Sequence, residues 1–169
     1  RVDDAVRRIL IKKFELGLFE DPYKFCSEAR EQEQYDNPLH KQFARTMAAK
    51  SIVLLKNDTM QSKPLLPLQR NQKIALIGPL VKSQKDNLGF WSFDFDDDSV
   101  RLVSLYQGVQ NKLGNNAALL YAKGCNLNDT DSSGFAEAIA TAMQADVVVM
   151  QVGEARDWSG EAKSKSNIQ

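Results

Sequence analysis

Lys73-Ile74-Ala75-Leu76-Ile77-Gly78-Pro79 decides the fold. Its four central residues are apolar at every position, and Gly-Pro ends them. A strand with one wet face alternates, whereas an unbroken apolar run marks a parallel strand covered on both faces. Asp146-Val147-Val148-Val149-Met150-Gln151-Val152-Gly153 repeats the pattern more strongly, and Ala117 to Tyr121 resumes strand character until Gly124. Between these runs, Leu102, Leu105, Val109 and Leu113 fall at helical spacing before Gly114, and Gly134 to Gln144 reads as a further helix. Helix and strand alternate three times. That order predicts right-handed crossovers and an α/β three-layer sandwich with a mainly parallel sheet.

Upstream the pattern is different. Val6, Ile9, Leu10 and Phe14 place a helix over residues 3–14, with Asp3 and Asp4 at its positive end and Lys12 and Lys13 near its negative end. Nothing evident in the chain buries its apolar face. From Lys24 to Pro38 the composition turns to Glu, Gln, Asp and Asn, which reads as a solvated linker. A helix is predicted over 38–51 with Phe43, Met47 and Ala48 on its inner side, and residues 51–57 turn β-like. Residues 86–98, rich in aromatics and acids, have no clean period and read as a loop.

Composition narrows the function. Of 169 residues, 43% are hydrophobic, enough for a core and too many for disorder. Twenty-two basic residues balance twenty-two acidic ones, so the basic surface that nucleic acid requires is not expected. No run approaches the roughly 18 apolar residues of a membrane span. Two cysteines, Cys26 and Cys125, exclude a disulfide scaffold; they read as buried or idle thiols, with a single long-range bridge as the alternative. His40 is the single histidine, so a multi-histidine metal site is not expected.

Three sets of residues invite chemistry. A phosphate cradle after the strand needs closely spaced glycines with free N–H groups, but Pro79 follows Gly78 and the next glycine is Gly89. Nucleotide binding is therefore a distant reading. Glu154 and Glu161 lie in a Trp158-bearing loop beyond the last strand, and chemistry in open α/β sheets sits outside carboxyl ends. A carboxylic acid near an indole loses hydration, which favours the protonated form that a general acid needs. Trp91, Phe93, Phe95 and Trp158 suit stacking on sugar rings. A noncatalytic carbohydrate-binding or interaction module would keep those aromatics and need no acid. Asn57-Asp58-Thr59 and Asn128-Asp129-Thr130 match the glycosylation triplet, which also arises by chance.

In order along the chain stand Arg1-Val2-Asp3-Asp4-Ala5-Val6-Arg7-Arg8-Ile9-Leu10, Lys13-Phe14-Glu15-Leu16-Gly17-Leu18-Phe19 and Ala49-Lys50-Ser51-Ile52-Val53-Leu54-Leu55-Lys56-Asn57. Leu66-Pro67-Leu68, Lys73 to Leu80, Gly89-Phe90-Trp91-Ser92, Tyr121-Ala122-Lys123-Gly124-Cys125, Val152-Gly153-Glu154 and Ser159-Gly160-Glu161-Ala162 follow. This ordered set resembles glycoside hydrolase family 3, of the bacterial periplasmic β-glucosidase type. The resemblance implies that residues 1–19 are the last helix and exit of an N-terminal barrel, 20–38 an interdomain linker, and 39–169 part of an α/β sandwich domain. It implies a retaining β-glucosidase acting on β-linked glucosides or oligosaccharides without metal or organic cofactor, with the nucleophilic aspartate on the barrel and none in this chain. Glu161 best matches the acid/base, with Glu154 second. Phe95, then Trp91, match the aromatic beyond the cleaved bond; Trp158 is a candidate sugar contact from its place among the loop aromatics alone. The chain is accordingly expected to be a piece of a longer, periplasmic or secreted enzyme. It is expected to be inactive alone and, with apolar surface and strand edges open, to self-associate.

Overall fold

The computed structural model describes residues 1–35, 37–60, 63–92, 102–114 and 118–165. The chain divides into two compact units, Arg1–Asn57 and Asp58–Gln169.

In the first unit, α1 (Val2–Glu15) follows the predicted spacing, with Asp3 and Asp4 in its first turn and Lys12 and Lys13 in its last. Arg8 Nε pairs with Asp4 at 3.0 Å and Lys12 Nζ with Glu15 at 2.6 Å. Such exposed helix pairs contribute about 0.3–0.5 kcal/mol each. The stretch read as a solvated linker contains α2 (Glu28–Gln34). The Ser27 hydroxyl accepts the Arg30 N–H at 3.2 Å, and the Glu, Ala, Arg and Gln residues that follow are good helix formers. Propensity and a cap made this helix without an apolar stripe. The next, α3 (Pro38–Ser51), spans the predicted residues because Asn37 accepts the Leu39 N–H and Pro38 starts the helix. Ser51 ends α3 and residues 52–58 pair in no ladder, contrary to the β-like reading of 51–57. None of the three helices has a buried residue. Phe43 and Met47, expected on an inner side, are exposed.

The second unit opens with β1 (Thr59–Met60) paired antiparallel with β2 (Lys63–Pro64). Then come β3 (Ile74–Ile77), α4 (Leu105–Leu113), β4 (Leu119–Ala122), α5 (Phe135–Ala142) and β5 (Val147–Met150). The sheet order is β4-β3-β5 with both pairs parallel; Ile74 stands opposite Leu119 on one side and Val147 on the other. The helix α4 starts at Leu105 because Ser104 and Gln107 form a reciprocal capping box. At the strand entrances, the Lys73 N–H donates to the Asp146 carboxylate at 2.7 Å and the Asp146 N–H returns to the Lys73 carbonyl at 2.8 Å.

All four residues of β3 are between 0 and 7% exposed, as its unbroken apolar run requires. Ala75 and Ile77 pack with Ala122 against Ala138 of α5. Ile74 and Leu76 face the other way, toward Val81 and toward Leu105, Tyr106, Val109 and Leu113 of α4. The result is the predicted three-layer α/β sandwich. Burying Ile74, Leu76 and Val81 contributes about 1.5–3 kcal/mol each. With β3 central, the two crossovers run in opposite directions and leave their helices on opposite faces. The order in which strands are added therefore reverses at β4, and the three parallel strands end at one shared carboxyl edge.

Candidate active site

Three loops leave that edge, 78–92 after β3, 123–134 after β4 and 151–165 after β5. Gly78 begins the first at φ +136°, and a Cβ there would overlap the Gln151 carbonyl of the third. Its N–H is already taken by the Ala122 carbonyl at 3.1 Å. With Pro79 next, no free N–H pair faces a phosphate, which removes the basis for nucleotide binding.

Leu80 and Val81 then turn inward, and a 3-10 turn over Asp86–Leu88 follows. The Ser83 hydroxyl donates to Asp86 Oδ2 at 2.6 Å and accepts the Asp86 N–H at 3.2 Å. Asp86 Oδ1 accepts the main-chain N–H of Arg156, from the loop after β5, at 3.0 Å. The Ser83 hydroxyl first, and then the Arg156 N–H, hold the Asp86 carboxyl below its ordinary value against the opposing effect of burial. The Arg156 side chain reaches farther along the same loop. Nε donates to the Gly89 carbonyl at 3.0 Å and Nη2 to the Ser92 carbonyl at 3.1 Å.

Phe90 lies on Gly160, where φ is +131° and a Cβ would overlap the ring. Trp91 stands edge-on to Phe90 with centroids 5.1 Å apart and is 75% exposed. Trp158 is partly buried, and its indole N–H donates to Asn128 Oδ1 in the loop after β4. Lys165 Nζ sits 3.4 Å from the Trp158 ring centroid and 3.4 Å from Glu154 Oε1. Glu161 occupies the exposed turn after Gly160 and makes no ion pair or hydrogen bond among the described residues.

Glu154, Trp158 and Glu161 thus share one loop at the carboxyl edge, and Trp91 lies on the neighbouring loop that Arg156 fastens to it. Phe95 and Phe93 lie outside the described residues. Among the described residues no cluster of three or more metal-ligating side chains occurs, and Cys26 and Cys125 are free thiols. Sequence reading missed Arg156, Asp86, Asn128 and Lys165. Only the Ser83-x-x-Asp86 box had a local signature.

Residues 52–169 match the sequence profile of the glycosyl hydrolase family 3 C-terminal domain. The chain belongs to that family. Over 99% of its length it is 37% identical to a periplasmic β-glucosidase of Salmonella typhimurium and 33% identical to a β-xylosidase of Formosa agariphila. It spans 24% and 23% of those two proteins, about a quarter of each. A crystal structure of a β-glucosidase from Listeria innocua in complex with isofagomine superposes with a TM-score of 0.76 and 30% identity, covering 96% of this chain and 21% of that one. A β-glucosidase involved in saponin metabolism from intestinal bacteria superposes at 0.77 with 28% identity, covering 95% of this chain and 25% of that one. Family 3 membership and the three-layer sheet therefore agree.

Proposed function

We propose that this chain forms the acid/base side of a retaining β-glycosidase that removes non-reducing terminal β-D-glucosyl residues. Glu161 protonates the leaving oxygen and then activates water against the glycosyl-enzyme. Residues 1–19 are the last helix and exit of an N-terminal barrel, and the nucleophilic aspartate comes from the part of that barrel outside these 169 residues. Residues 20–38 are the linker, and 39–169 belong to the sandwich domain. Retaining chemistry holds the two carboxyls about 5–5.5 Å apart, so the separation is set by docking one domain on the other. Trp91 lines the aglycone side and Trp158 is a further sugar contact; Phe95, outside the described residues, is the other family match for the aglycone aromatic.

One observation carries this reading. Glu161, on a turn braced at the carboxyl edge, is exposed and has no partner among the described residues, whereas Glu154 is engaged by Lys165. An acid/base must be open to a leaving oxygen that arrives from another domain. The periplasmic relative supports the same compartment for this protein, and the β-xylosidase relative makes β-xylosides the competing substrate.

In the intact enzyme, Glu161→Gln should abolish cleavage of cellobiose and spare kcat/KM on dinitrophenyl β-glucoside, whose leaving group needs no proton, while kcat on that substrate falls because the glycosyl-enzyme then waits for an unactivated water. Equal loss on both would remove the acid/base role. The 169-residue chain alone should turn over neither aryl β-glucoside nor aryl β-xyloside above its Glu161→Gln variant.

A further inference from the structure

We propose that Arg156 is a positioning residue that fastens the Gly89–Ser92 loop to the Trp158–Ala162 turn, so that Trp91 and Glu161 move as one rim. This rests on the acid/base reading of Glu161 and adds to it a device that sets the spacing between aglycone contact and proton donor. Among the described residues, Arg156 reaches three partners on the loop after β3. Its main-chain N–H is on Asp86, Nε on the Gly89 carbonyl and Nη2 on the Ser92 carbonyl. The bonds from the guanidinium are charge-assisted, and one planar fork spanning two carbonyls fixes their relative position as well as their distance.

The Gly89 carbonyl is further oriented by the Ser92 hydroxyl, which donates to it at 2.9 Å. The same two segments meet again where the Phe90 ring rests on Gly160, beside Glu161. Trp91 and Ser92, the next two residues, inherit that placement. Residue 156 and its carbonyl partners are 67 and 64 positions apart, so no local turn can supply the registration. Lysine would keep the charge but engage one carbonyl at a time, because an ammonium has no fork.

Two measurements test this. In the 169-residue chain, Arg156→Ala should speed amide exchange in Gly89–Ser92 and in Trp158–Ala162 together, while Ile74–Ile77 keep their protection. Exchange unchanged in either segment overturns the coupling, whatever Glu161 does. If Arg156→Ala also loses core protection, Arg156→Lys carries the same comparison with the fold intact. In the intact enzyme, Arg156→Ala should raise the KM for cellobiose about tenfold while kcat on dinitrophenyl β-glucoside stays within about twofold. Adding Arg156→Ala to Trp91→Ala should then change KM less than about twofold, since the contact it positions is already gone. Full additivity of the two substitutions overturns the positioning role. If exchange responds as expected but Glu161→Gln shows no leaving-group selectivity, the acid/base assignment falls and the coupling of the loops stands.

Discussion

The helices α1 and α4 carry apolar stripes of the same kind and meet opposite fates. On α1, Val6, Leu10 and Phe14 remain 45–67% exposed. On α4, Leu105, Val109 and Leu113 pack against Ile74 and Leu76, which are at most 1% exposed. The difference is the presence of a second layer. A helix stripe specifies which face is apolar, and only a partner surface within reach converts that face into stability. The sheet of the second unit supplies such a surface on both sides, whereas the three helices of the first unit bury nothing. This asymmetry is what a segment of a two-domain enzyme should show if its first unit belongs against another domain.

Leucine-to-alanine substitutions should expose the contrast most strongly. Leu76→Ala empties a fully buried site in the central strand and should cost about 2–5 kcal/mol. Leu10→Ala, on the open stripe of α1, should change stability by no more than about 0.5 kcal/mol. Urea unfolding of the 169-residue chain, followed by circular dichroism, measures both. A loss at Leu10 comparable to that at Leu76 would mean the α1 face is covered in solution. Repeating the Leu10 measurement across protein concentration would then show whether a second copy covers it.

Where a single stretch of chain held all the necessary physics, the fold was legible. Ile74–Ile77 is apolar at each position because both faces are covered, and Asn37-Pro38 starts α3 because cap and fixed φ are adjacent. Two segments misled. Glu28–Gln34 has no apolar period yet is helical, since Ser27 and favourable propensities suffice. Ser51–Asn57 has an apolar run yet forms no ladder, since a strand needs a neighbour that the sequence does not name. The candidate site divides in the same way. That Glu154, Trp158 and Glu161 follow the last strand could be read from chain order. That Arg156 reaches Gly89 and Ser92 could not, because it depends on the register of segments more than sixty residues apart.

Within the second unit, the rim should be less costly to disturb than the core. Gly160→Ala places a methyl into the Phe90 ring at a positive φ that L-residues avoid. We expect it to cost about 1–3 kcal/mol, or less where the turn yields instead. In the intact enzyme the same substitution should lower kcat on cellobiose, because the turn that moves carries Glu161. Unchanged kinetics would show that Phe90 yields and that its contact with Gly160 does not hold the turn.

Acid should produce the smallest effect, confined to the rim. A carboxyl held below its ordinary 3.8 in the folded chain stabilises the fold at pH above that value. It loses the contribution as pH falls through the lower folded value. For Asp86 the interactions at stake are the Ser83 hydroxyl and the Arg156 N–H. Below pH 3.8 the loop 83–92 should therefore loosen from the 153–162 segment before the sheet unfolds, because β3 is held by apolar burial and main-chain pairing. Tryptophan fluorescence can follow this, since Trp91 and Trp158 are the only two indoles and lie on the two segments concerned. Asp86→Asn, which keeps the shape of the side chain but has no acid to titrate, should abolish the transition. If the wild-type change survives in that variant, a different carboxyl governs the rim, and the Asp86–Arg156 contact is not what distinguishes it from the core.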